Sequence, residues 1–102
     1  MLWAVYCIDK PNTLALRAQH LASHREYLTK NARKIFFSGP LQTDDAATNV
    51  GSLWILSVPS RAEAQAFVDN EDFYRAGVFA SVTIHRIRQG FFHPDLGEPN
   101  PA

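Results

Sequence analysis

Excess charge of either sign is missing from this sequence. Ten Lys and Arg stand against ten Asp and Glu, for a formal net charge of zero and a pI near 6.9. Without a cationic surplus, nothing draws the chain to the phosphates of nucleic acid or to an anionic membrane surface. Long hydrophobic runs are missing too: none approaches the ~20 residues that span a bilayer. The first nine residues, MLWAVYCID, have no basic flank and no small-residue cleavage site, so they do not read as a signal peptide. Cysteine is scarce. Cys7 is the only one, which excludes an intrachain disulfide and points to the cytoplasm. With no basic residue beside it, Cys7 reads as a buried, inert thiol rather than a nucleophile. Repeats and domain-separating linkers are also absent.

What remains is 102 residues, enough for one domain, with 46% hydrophobic and 20% charged side chains, the balance of a globular protein with a core of its own. Leu2 to Ile8 is rich in β-branched and aromatic residues and stops at Asp9-Lys10-Pro11-Asn12, as a strand does. Asn12 is a suitable cap for a helix running from Thr13 to about Asn31, in which Leu14, Ala18, Leu21 and Leu28 recur at helical spacing. Lys34 to Ser38 reads as a short strand terminated by Gly39-Pro40, residues 41–51 as a polar loop, and Ser52 to Val58 as a third strand. Ser60 with Glu63 forms a capping box that opens a helix over Arg61 to Asp69. A turn at 70–77 leads into a strand from Phe79 to Arg88, and from His93 the chain becomes a proline-rich tail. Residues 1–92 thus form the domain and 93–102 the tail. The order β-α-β-β-α-β predicts an α+β, ferredoxin-like fold, with an antiparallel sheet and both helices on one face.

The strands do not alternate as a half-exposed sheet should. Leu53 and Ile55 oppose Trp54, Leu56 and Val58, and Ile35 and Phe37 oppose Phe36, so both faces are apolar. Two helices cover one face only. A second copy over the other predicts a homodimer built as an α/β barrel; the alternative cover is loop 41–51 with the tail.

His24 borders the apolar stripe of the first helix, and Arg17, seven residues earlier, projects from nearly the same side. A histidine so placed can act as a general base, or be a half-buried structural residue. His20 and His24 have the i, i+4 spacing of a metal pair, but no third ligand accompanies them, so neither a metal nor another cofactor is expected. Gly39, in Ser38-Gly39-Pro40-Leu41, would let backbone N–H groups approach a ligand, or merely end a strand. Glu71 and Asp72 form an acidic turn that would orient an imidazole if the fold brings them to one. Asp44 and Asp45 read as solvated turn residues, and His85 and His93 as structural or solvated.

Taken in order, these segments resemble the YCII family. The carriers are His24-Arg25-Glu26-Tyr27-Leu28 (H-x-x-Y-L), the Gly39-Pro40-Leu41 turn, Gly51-Ser52-Leu53, Arg61-Ala62-Glu63-Ala64, and the run from Asn70 to Phe79. The resemblance covers about residues 2–92. It implies a ferredoxin-like dimer related to the dimeric α+β barrels, with a histidine–carboxylate site in a cleft between helix and sheet. Carried over, His24 is the histidine. The family's Asp-Pro becomes Glu71-Asp72, and either acid is the candidate partner, with Arg17 balancing charge and Ser38, Gly39 and Pro40 at the ligand. The function so implied is a cofactor-independent small-molecule enzyme of lyase, isomerase or dehydrochlorinase type. The alternative is a non-catalytic metabolite-binding or regulatory dimer.

Overall fold

In the computed structural model, which describes residues 1–99, four strands form one antiparallel sheet in the order β2-β3-β1-β4. The elements are β1 (Leu2–Asp9), α1 (Leu14–Lys30), β2 (Ile35–Gln42), β3 (Asn49–Ser57), α2 (Arg61–Asp69), the single turn α3 (Asp72–Arg75) and β4 (Phe79–Ile87). This is the ferredoxin-like arrangement expected. The two crossovers, β1-α1-β2 and β3-α2-β4, each skip a strand, so every neighbouring pair runs antiparallel.

The core lies between sheet and helices. Trp3, Val5 and Cys7 of β1 alternate with outward residues, as do Trp54 and Leu56 of β3 and Val58 just beyond it, and all six are buried. Ala64, Phe67 and Val68 of α2 and Phe73 of α3 close over them. On β4 one extra residue, Ala80, interrupts the pairing between Ile8–Ser81 and Asp9–Phe79. That bulge returns Phe79 to the core face, where its ring meets Trp54 at 6.1 Å.

Ser60 caps α2 as the sequence implies, its hydroxyl accepting from the Glu63 amide at 3.2 Å. Asn12 does not cap α1. It sits in the left-handed region (φ 61°), and Thr13 occupies the cap position, its hydroxyl donating to the Lys10 carbonyl instead. Asn tolerates that conformation better than most residues, which lets the chain turn sharply out of β1. Gly39-Pro40 does not end β2 either. The strand runs on to Gln42, with Pro40 paired to Ser52. Because β2 is an edge strand, a proline that donates no hydrogen bond is tolerated there. The loop accordingly shrinks to residues 43–48, closed by Thr43 and Asp45. Asp45 is exposed, and hydrogen bonds from the Thr43 hydroxyl and the Ala47 amide lower its carboxyl pKa.

The sheet face away from the helices stays open. Tyr6, Phe37 and Ile87 are 47%, 58% and 43% exposed, and Leu53 and Ile55 beside them are half-buried. Neither loop 43–48 nor the described part of the tail buries this face. Phe92, just before the tail, rests against Phe36, ring centroids 5.7 Å apart, while Phe91 is fully exposed. Of the tail predicted at 93–102, Pro94–Leu96 forms a 3₁₀ turn and residues 100–102 lie outside the described residues.

Candidate active site

Helix α1 turns an unusual face to the sheet. Its two buried residues are Arg17 and His24, two turns apart, while Leu14 and Ala18 of the expected apolar stripe are exposed. Leu21 and Leu28 from that stripe instead line a cavity of about 260 Å³ between α1 and the β2-β3 side of the sheet. Arg17, His24 and Arg25 line it from the helix, and Ser38, Gly39 and Pro40 from the edge strand. Trp54 and Phe73 supply aromatic wall. The fold thus brings together five of the seven residues singled out from sequence, and Glu71 stands directly behind them.

Glu71 is fully buried. One carboxylate oxygen accepts from His24 Nδ1 and the other from the Tyr74 amide at 3.1 Å, so Glu71 also caps α3. Asp72 is the first residue of α3; the acid that meets the imidazole is Glu71. A Schellman closure holds this turn from the other side. The Val78 amide reaches the Phe73 carbonyl and the Gly77 amide that of Tyr74, with Gly77 at φ 82°, where a Cβ would be strained. The imidazole stacks on Phe73 at 3.9 Å with an interplanar angle of 12°, and Trp54 lies tilted at 6.4 Å. With Nδ1 donating to the carboxylate, the lone pair falls on Nε2. Nε2 has no partner among the described residues, and no buried side-chain nitrogen or oxygen there lacks one, so Nε2 reaches the cavity. The arrangement can take a proton from a bound molecule and return it.

Arg17 is held by Asp9, which sequence reasoning passed over as a site residue. Nε donates to Asp9 at 2.6 Å and Nη2 at 3.2 Å. Nη2 also reaches the Gly51 carbonyl at 2.8 Å and the Ser52 hydroxyl at 3.2 Å, and the guanidinium lies over Phe73 at 4.7 Å. The signal was there: β1 alternates Trp3, Val5, Cys7 inward, and Asp9 is next in that phase. Cys7, fully buried beside this pair, has its thiol pKa pushed up to about 12, chiefly by burial and then by the charges of Glu71 and Asp9. His20 is half-buried, and no three His, Cys, Asp or Glu side chains among the described residues group as metal ligands. His85 is exposed on the open sheet face.

An α+β ferredoxin-like domain whose first helix delivers a histidine and an arginine to an aromatic-walled cleft belongs to the dimeric α+β barrel fold type, a fold of the kind small-molecule enzymes use. Comparison with known proteins agrees. The chain belongs to the YCII-related family, whose sequence profile matches residues 1–88. Protein YciI of Escherichia coli O6:H1 strain CFT073 is 30% identical over 100 residues, covering 89% of this chain and all of that protein, and Protein YciI of Shigella flexneri matches equally. Among solved structures, 5-chloro-2-hydroxyhydroquinone dehydrochlorinase (TftG) of Burkholderia phenoliruptrix AC1100, in complex with 2,5-dihydroxybenzoquinone, superposes with a TM-score of 0.83 at 33% identity. That match covers 88% of this chain and 96% of the other.

Proposed function

We propose that this chain is a cofactor-independent enzyme of lyase or isomerase type that moves a proton on a small hydroxylated ring or enol. His24 is the acid/base, Glu71 its positioning partner, and Arg17 with the Ser38-Gly39-Pro40 strand holds the substrate. One observation carries the reading: a buried carboxylate fixes one imidazole nitrogen and leaves the other facing an aromatic-walled cavity. A merely structural histidine needs no cavity at its free nitrogen. Likeness to a dehydrochlorinase supports the substrate class. In such a reaction a hydroxyl proton is moved to the chlorine-bearing ring carbon. A second hydroxyl then loses its proton as chloride leaves with the bonding pair. One proton and one chloride depart in sum, and no oxidant is consumed. A single base able to accept and return a proton suffices.

The protein acts, on this reading, as a cytoplasmic homodimer. The open apolar sheet face supports the dimer and the lone, buried thiol the compartment. Among the described residues no helix is long and apolar enough to cross a membrane.

The test follows chloride release and quinone absorbance with chlorinated hydroxyhydroquinones, and solvent deuterium incorporation with unchlorinated hydroxylated rings and enol lactones. Wild type should turn over a member of this set. His24→Gln should lose about 10²–10⁴-fold in kcat, the usual worth of a positioned acid/base. Tight binding across the panel with no turnover would instead make the chain a metabolite-binding dimer.

A further inference from the structure

The cavity has a charge preference that its acid/base pair does not explain. Two arginines, Arg17 and Arg25, line it, and no carboxylate does. The two acids of the site stand behind the wall: Glu71 is spent on His24 and the Tyr74 amide, and Asp9 on Arg17. Arg17 is not used up by these contacts. Nε and Nη2 make all its hydrogen bonds, to Asp9, Gly51 and Ser52, and Nη1 makes none among the described residues. Arg17 is only 8% exposed, yet no buried nitrogen among the described residues lacks a partner, so that small exposed area includes Nη1. Arg17 lines both the main cavity and a second recess of about 310 Å³ beneath loop 43–48, as do Leu21 and Asn49. A guanidinium locked on one edge and free on the other is a pre-oriented donor, and charge-assisted bonds from such a group are the strong ones.

We infer that Arg17 Nη1 binds an ionised oxygen of the ligand, so that the site selects small anions of the phenolate or enolate class over their uncharged counterparts. Phe73 touches both the His24 ring and the Arg17 guanidinium, so the ionised oxygen and the proton-exchanging position belong to one small ring. The inference rests on the proposed ligand class but does not depend on turnover.

Isothermal titration with 2,4-dinitrophenolate, and with 2,4-dinitroanisole as the uncharged comparator, tests it directly. Wild type should bind the phenolate at least about tenfold more tightly than the ether, the worth of one hydrogen bond to a charged group. Asp9→Asn/Arg17→Met removes both members of the buried pair, leaving neither charge unpaired. It should lose that advantage while binding the ether as wild type does. Arg17→Lys keeps the charge but not the fork, and should retain only part of the preference. His24→Gln should keep phenolate affinity within a few-fold, which separates this inference from the acid/base assignment. No phenolate binding by wild type, equal affinity for both probes, or an unchanged preference in the double variant would overturn it. Should the double variant fail to fold by circular dichroism, an unchanged preference in Arg17→Lys would do the same.

Discussion

Glu71 does two jobs with one side chain, and its variants should separate them. It accepts from His24 on one oxygen and caps α3 with the other, at full burial. Glu71→Ala leaves both donors without their protein partner in a buried site, so the loss should be about 3 kcal/mol in urea unfolding. Glu71→Gln keeps one acceptor, a carbonyl oxygen for the Tyr74 amide, and turns an NH2 to His24 Nδ1 that only the other imidazole tautomer accepts; it should cost about 1 kcal/mol. Turnover should fall by at least about tenfold in both, because an amide neither fixes the imidazole tautomer nor balances the imidazolium. Near-wild-type turnover in a folded Glu71→Gln would show that the carboxylate serves the fold alone. At this scale the pairing was only half legible. That an acid of the 71–72 turn meets the histidine was implied by the YCII resemblance, not by the spacing itself. Which acid does so depends on the direction of the chain entering α3: Glu71, as its cap, points inward.

At the scale of elements, α1 is the instructive case. Its leucine stripe reads as a core face, but Leu14 and Ala18 are exposed and Leu21 looks into the cavity. A residue that lines a ligand cavity and one that lines a core follow the same periodicity, so spacing cannot separate them. The packed face carries Arg17 and His24, with half-buried Leu16, Tyr27 and Leu28 against the core. Tyr27 ties α1 to α2, its hydroxyl donating to the Phe67 carbonyl at 2.6 Å. Burial, aided by the negative charges of Glu71 and Asp72, pushes its pKa up to about 12. Cys7 shifts the same way. Both groups are neutral when folded and ionise more easily when unfolded. Their contribution is therefore complete below pH ~9 and fades as pH rises from there toward 12. Urea midpoints should thus drop steeply between pH 9 and 12. Tyr27→Phe should lower stability by about 1 kcal/mol at neutral pH and flatten the alkaline decline. An equally steep decline in that variant would place the alkaline sensitivity elsewhere. Strand β2 teaches a related lesson. Gly39-Pro40 resembles a terminator, but an edge position removes the objection to proline, and edge position is a property of the sheet order, not of the segment.

For the whole molecule the question is the second face of the sheet. Tyr6, Phe37, Ile55 and Ile87 form an apolar surface that the described chain does not cover. Association through it should give particles of twice the 11.5 kDa chain mass in light scattering at micromolar concentration. Ile55→Glu, at the centre of this face beside Ala4 and Phe37, should yield folded monomers, since a charge buried between two sheets has no partner. Wild type scattering as a monomer would remove the dimer from the proposed function.

The element order, the ferredoxin-like class, the second helix with its Ser60 cap and the two-sided apolar strands all belong to the sequence itself, because they arise from periodicity and local capping within a few residues of each other. Tertiary structure decided the rest. Asp9 meets Arg17, and Glu71 rather than Asp72 meets His24, across 8 and 47 residues of chain. Such contacts depend on which strands are neighbours and on how one turn points, and a linear pattern records neither.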